Sequence, residues 1–235
     1  MANYQTMLAG LEDLINNPTP RVPVALCLDV SGSMNGMPID QLNQGVQQYL
    51  KEMKDDDLTR YGAETAVVTF ASQAQCVADF ALPDNLNLPK LQANGYTAMG
   101  EGLQMAMELL QRRKKKYQGT GVDYYQPILV VMSDGAPNGD PRVLSNVIDQ
   151  IRQQVAQRRL TVIPVGIGAQ ADMQMLAKLS PNHAPVQMSA LCFREFFAWL
   201  SRSVSAVSAS VPGDELKLDL EALEQLAVQP WPEAL

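Results

Sequence analysis

The sequence predicts a doubly wound α/β domain: a mostly parallel six-stranded sheet with one antiparallel edge strand and helices on both faces. Three observations carry this. Short apolar runs such as "PVALCLDV", "ILVVMS" and "LTVIPVGIG" read as strands covered on both faces, since a strand with one wet face would alternate. Between them, apolar residues recur every three or four positions, as on helices with one buried face. Strands alternating with helices build a parallel sheet through crossover connections. At 235 residues and 46% hydrophobic content, the chain can bury one such core without needing a second.

Each element follows in order. The first strand, 23–30, is nearly continuous in apolar residues. Helix 38–53 places Ile39, Leu42, Val46, Tyr49, Leu50 and Met53 on one face. Strands 65–71 and 74–80 are joined by Ser72-Gln73; so short a link makes an antiparallel hairpin, because a parallel pair needs a long crossover. The acidic run "DDD" at 55–57 reads as a solvated helix terminus. Within 95–116 a helix turns Met99, Leu103, Met107 and Leu110 to the core, and "RRKKK" at 112–116 reads as its solvated end, where cations suit the helix dipole. Strand 126–135 follows. Helix 141–158 has a proline near its start and Asp140 as N-cap. After strand 160–168, Gly166 and Gly168 read as turn glycines. A short helix at 171–180, an edge strand at 184–188 and a last helix at 194–211 complete the pattern, with Phe196, Phe197, Leu200 and Val204 facing inward.

Composition narrows the function. Charged residues are 18% and the net charge is −7. An acidic surface argues against nucleic acid and anionic membranes, both of which need clustered Lys and Arg. Cys27, Cys76 and Cys192 are odd in number, widely spaced and form no CxxC, so no disulfide framework is expected and a reducing compartment is. Cys27 reads as a small core residue. The first twenty residues have no basic start and no long apolar run, unlike a signal peptide. No segment reaches the ~18 consecutive apolar residues of a membrane helix. A cytoplasmic location is the expectation.

The first strand ends on "LDVSGSM", which puts Asp29, Ser31 and Ser33 at alternate positions. Thr97 lies in a loop before a helix, and Asp134 ends the "ILVVMSD" strand. In open α/β sheets ligands gather at the carboxyl ends of the strands, near the topological switch point. All five side chains are hard oxygen donors: two carboxylates and three hydroxyls. Such a set suits a hexacoordinate Mg²⁺ or Mn²⁺ better than Ca²⁺, with water completing the shell. Two carboxylates alone leave the ion electrophilic and ready to accept one more from outside. Gly32, Gly95, Gly100 and Gly135 are expected to let the backbone turn closely around it.

"DVSGSM" resembles the DxSxS signature of the von Willebrand factor type A domain. "GYTAMG" and "MSDG" stand where that family completes its metal-ion-dependent adhesion site. The resemblance implies that Ser31, Ser33 and at times Thr97 touch the metal, that Asp29 and Asp134 act partly through water, and that a protein partner's Asp or Glu takes the open position. "SGSMNGMPIDQLNQGV", "VGIGAQADMQMLAKLS" and "FFAWLSRSVSAVS" are similar to the small bacterial proteins of the TerY type. That likeness covers about 21–211, leaving an extension at 1–20 and an acidic tail at 212–235. It implies a setting in tellurium resistance or stress response, with an associated kinase and phosphatase.

Other chemistries fit less well. "SGSMNG" is not a GxSxG nucleophile elbow, and His183 in "SPNHAP" is far in sequence from both serines. A metal-dependent phosphohydrolase is the alternative, but the motifs contain no general base and no lysine to clamp phosphate. "VGIGAQA" lacks the third glycine of a dinucleotide fingerprint. "SRSVSAVSAS" offers Ser203, Ser205, Ser208 and Ser210 to a kinase, or else forms the polar face of a helix.

Overall fold

The computed structural model describes residues 14, 16–182, 184–188, 192–211, 218–219 and 222–223. His183, most of the 1–20 extension and most of the 212–235 tail lie outside them. The elements are β1 (Val22–Asp29), α1 (Met37–Asp55), α2 (Asp57–Gly62), β2 (Ala63–Phe70), β3 (Ala74–Ala81), α3 (Met99–Thr120), β4 (Ile128–Ser133), α4 (Pro141–Ala156), β5 (Thr161–Ile167), α5 (Met173–Ala177), β6 (Val186–Met188) and α6 (Phe193–Ser208).

The sheet has six strands in the order β3-β2-β1-β4-β5-β6. Only β3 is antiparallel, and it forms one edge. The chain leaves β1 for β2 on one side and returns to β4 on the other. The switch point therefore falls between β1 and β4, at their carboxyl ends. All eight residues of β1 are buried, as its continuous apolar run demands. Val22, Val24, Leu26 and Leu28 pack with α1 and α6, whereas Ala25 and Cys27 pack with α3 and α4. The predicted inward positions of the helices are all buried.

Packing between α1 and α6 depends on a missing side chain. A Cβ placed on Gly45 would lie 2.5 Å from the Phe197 ring. Behind this contact, the Tyr49 and Thr65 hydroxyls are 3.0 Å apart and tie α1 to β2.

Four local expectations change. "DDD" is not one solvated terminus: Asp55 ends α1, and the Asp56 carboxylate accepts from the backbone N–H of Leu58 and Thr59 to cap α2. That second helix is too short to carry a periodic pattern of its own. "RRKKK" is not a uniformly solvated end either, because α3 continues to Thr120 and closes on Gly121 with φ 71°. Arg113 is buried and donates to Glu64, as does the Tyr117 hydroxyl, while the Arg21 Nε lies 3.4 Å from the same carboxylate. Gly166 sits within β5, where a Cβ would lie 2.3 Å from the Met173 sulfur; only Gly168, at φ 80°, is a turn glycine. The last helix does not present its serines on one wet face. Ser203 is buried, and the Ser205 hydroxyl donates to Asp56. Among the described residues, no helix is long and apolar enough to cross a membrane.

Candidate metal centre

Asp29 is the last residue of β1 and is fully buried. Its Oδ1 accepts the Ser31 N–H at 2.8 Å, which folds the chain back into a tight polar turn. Gly32–Met34 then forms one turn of 3-10 helix. This brings the hydroxyls of Ser31 and Ser33 within 3.0 Å of each other. Ser33 Oγ in turn donates to Asp134 Oδ1 at 2.8 Å. Asp134 stands just beyond β4, the strand beside β1. Four of the five predicted side chains thus form one hydrogen-bonded chain at the switch point.

Thr97 reaches the same rim through backbone contacts. The Gly32 N–H donates to the Gly95 carbonyl at 3.0 Å, and the Asn94 N–H to the Val30 carbonyl at 2.9 Å. Gly95 has φ 72°, and a Cβ there would lie 2.3 Å from Ser72 Oγ. Here the loop does require glycine, both for its dihedral and for its clearance. Asn138 grips Thr97 from the other side: its Oδ1 accepts the Thr97 N–H at 2.8 Å, and its N–H donates to the Thr97 carbonyl at 3.1 Å. Gly100 plays a different part from the one expected. A Cβ on it would lie 2.9 Å from the Leu144 backbone, so it serves the contact between α3 and α4.

Two residues beyond the predicted five hold the arrangement. Asn138 is one. Ser133 is the other: its hydroxyl donates to Asp29 Oδ2 at 2.5 Å. It stands directly before Asp134 in "MSDG", at the end of β4 beside β1, and that position is what marks it in the sequence.

Electrostatics favour a cation here. Burial pushes the Asp29 carboxyl up to about 6, against the hydrogen bonds of Ser133 and Ser31, and the charge of Asp134 adds to the rise. Burial also raises Asp134. Two desolvated carboxylates near each other disfavour ionisation until a positive charge arrives. Among the described residues, no three His, Cys, Asp or Glu side chains group as a metal site. An ion in this place therefore depends on the hydroxyls, and the hydroxyls and carboxylates present are the hard donors that Mg²⁺ and Mn²⁺ take.

A family model for the von Willebrand factor type A domain matches residues 24–194, from inside β1 to the start of α6. The chain belongs to the von Willebrand factor type A domain family. Domains of this family are commonly protein-interaction modules and often bind a divalent metal at the adhesion site. The chain is 24% identical to mouse inter-alpha-trypsin inhibitor heavy chain H2 over 70% of its own length, but spans only 17% of that protein. A von Willebrand factor type A structure from Catenulispora acidiphila superposes with a TM-score of 0.59 at 20% identity, covering 81% of this chain and 43% of the other. The corresponding domain of the pilus tip protein Mfa5 from Porphyromonas gingivalis gives 0.60 at 13% identity, covering 83% and 99%. At these identities the structural likeness is one of fold. The von Willebrand type A sheet of the present chain places its five candidate donors at the carboxyl ends of β1 and β4 and in the loop before α3.

Proposed function

We propose that this chain is a metal-dependent protein-binding module and not an enzyme. Asp29, Ser31, Ser33, Thr97 and Asp134 hold a divalent cation, Mg²⁺ or Mn²⁺, and an Asp or Glu of a protein partner completes its shell. The observation that carries the reading is the hydrogen-bonded chain Asp29–Ser31–Ser33–Asp134, in which Ser33, just past β1, meets Asp134, just past β4, across 101 residues of sequence. When bound, the ion supplies an electrophilic coordination position that a carboxylate can fill. The chain's own residues orient the donors: Ser133 and the Ser31 N–H fix the Asp29 carboxylate, and Asn138 fixes the Thr97 peptide. The residues that meet here carry hydroxyls, carboxylates and one amide, a set of oxygen donors that suits a cation. We further propose a cytoplasmic setting of the tellurium-resistance TerY type, with a kinase and a phosphatase as associated proteins; the three sequence stretches quoted above support it.

Calorimetric titration of Mg²⁺ and Mn²⁺ into metal-stripped protein tests the site. Saturable binding is expected for the wild type and its loss for Asp29→Ala and Asp134→Ala. Thr97→Ala is expected to weaken partner capture more than metal binding. Pull-down from a bacterial lysate with and without EDTA then tests the role. Capture that persists in EDTA rules it out.

A further inference from the structure

The cations of "RRKKK" divide between the sides of α3. Arg113 is buried against Glu64. Arg112 and Lys116, four residues apart on one row, face the β3 side, where Arg112 pairs with Asp79. Lys114 turns the other way, towards the end of α4, where Arg159 is its charged neighbour. Lys115 follows it and is exposed. On α4, Leu144, Ile148 and Arg152 succeed one another in four-residue steps, and Leu144 is the residue against which Gly100 of α3 packs. Arg152 therefore lies on the ridge of α4 that borders α3. Arg158, at φ 54°, turns the chain after α4, and the Arg159 N–H returns to the Gln154 carbonyl at 2.9 Å.

Lys114, Lys115, Arg152 and Arg159 thus flank the α3–α4 seam near the amino end of the sheet. Among the described residues, none of the four has a carboxylate within ion-pairing distance. Glu108 accepts from Gln104, and Asp149, three residues before Arg152, does not pair with it. Two observations set the seam apart from a pair of ordinary solvated helix ends. The dipoles of α3 and α4 supply roughly half a negative charge each at these ends, so four cations exceed what they complement. Lys114 is also half-buried: burial, and then the charge of Arg159, hold it below the ordinary lysine range. A partly desolvated cation beside a second cation is unfavourable until an anion arrives.

We infer that the α3–α4 seam is a docking surface for a short acidic segment, rich in Asp or Glu, of a protein partner. The chain as a whole carries −7, so the surface outside the seam is more acidic still. A long rigid polyanion such as duplex nucleic acid would run past the seam onto that surface, and charges held within about one Debye length (~8 Å) of it are repelled. A short flexible segment meets the cations alone. The seam does not depend on the metal reading. Lys115 lies roughly 25 Å along α3 from Thr97, so the seam and the candidate metal centre can be filled at once and the chain can bridge two partners.

A capped fluorescent decapeptide of alternating glutamate and serine tests the seam. It is added to the full chain in EDTA, so that no metal captures its carboxylates; the same peptide with glutamine for glutamate is the control. A saturable rise in anisotropy is expected for the acidic peptide alone. The backbone amide signals of Lys115, Arg152 and Arg159 should shift while those of Ser33 and Asp134 stay still. Lys114→Gln combined with Arg159→Gln should weaken binding about tenfold, the worth of two exposed ion pairs, with a urea midpoint no lower than that of the wild type. Equal behaviour of the two peptides, affinity that survives the double variant, or shifts confined to other surfaces each overturns the seam. A duplex oligonucleotide that binds there more tightly than the acidic peptide overturns the choice of occupant.

Discussion

Ser133 Oγ donates to Asp29 Oδ2 at 2.5 Å, joining the ends of β4 and β1 across 104 residues of chain. Ser133 stands behind the candidate donors and orients one of them. Partners of this kind are usually worth roughly 10–100-fold in metal affinity. Ser133→Ala should therefore weaken Mg²⁺ binding by about that factor in calorimetry, and Ser133→Thr should recover part of it. An unchanged affinity would show that the Ser31 N–H alone is enough to position Asp29.

Burial of the Asp29 carboxylate costs stability. A buried carboxyl raised to about 6 corresponds to roughly 3 kcal/mol held against its ionised form at neutral pH. Asp29→Asn keeps the shape and removes the charge. In EDTA its melting temperature should rise above that of the wild type by several degrees, while the heat of Mg²⁺ binding disappears. A melting temperature that falls would mean that the Ser31 and Ser133 bonds need a carboxylate.

At Gly45 the helix interface has no room to spare. An alanine methyl would meet the Phe197 ring at 2.5 Å and the Phe193 carbonyl at 3.2 Å. Overpacking of this sort costs about 1–3 kcal/mol. Urea unfolding of Gly45→Ala should register that loss, with Mg²⁺ affinity close to the wild-type value because the contact lies away from the site.

The buried carboxylate of Glu64 faces two guanidinium groups. Glu64→Ala takes the carboxylate from the buried Arg113, while Arg21 keeps the carbonyls of Thr19, Tyr61 and Asn17; breaking a buried pair from one side typically costs about 3–5 kcal/mol. Low yield or a greatly lowered urea midpoint is the expected result. Glu64→Gln, which keeps acceptor capacity, should be milder.

Acid should act on the contact between α6 and the α1–α2 junction. The hydrogen bond from Ser205, with those from Leu58 and Thr59, holds the Asp56 carboxyl below its ordinary value. A depressed carboxyl contributes stability that is present above the ordinary carboxylate range and is lost as pH falls through the folded value. NMR titration should place the Asp56 midpoint below that of a free aspartate, and Ser205→Ala should move it upward. An unshifted midpoint would mean that the bond is not populated in solution.

Much of this fold is legible in the sequence because β1, β4 and β5 are covered on both faces and must be apolar throughout. The candidate site is conspicuous in the sequence for a related reason. Asp29, Ser31 and Ser33 are polar residues placed directly after such a run, where nothing but a turn or a ligand explains them. What escapes the sequence is pairing at a distance. Arg113 looks like any member of a basic run until Glu64 is placed opposite it from β2. Ser133 and Asn138 are ordinary polar residues whose partners, Asp29 and Thr97, are far along the chain. The helix α2 is missed because six residues hold too few turns to show a period.

Glu64 opens β2 beside Pro23 of β1, whereas Asp29 closes β1 beside Phe70. The charged anchor and the candidate metal centre thus occupy opposite ends of the same parallel strands. Loops at the carboxyl end can be exchanged, lengthened or reshaped without disturbing the ion pair that fastens the other end. The molecule is on this account divided in labour: charge fastens one end of the sheet, and the other end is left to the loops that carry the candidate donors.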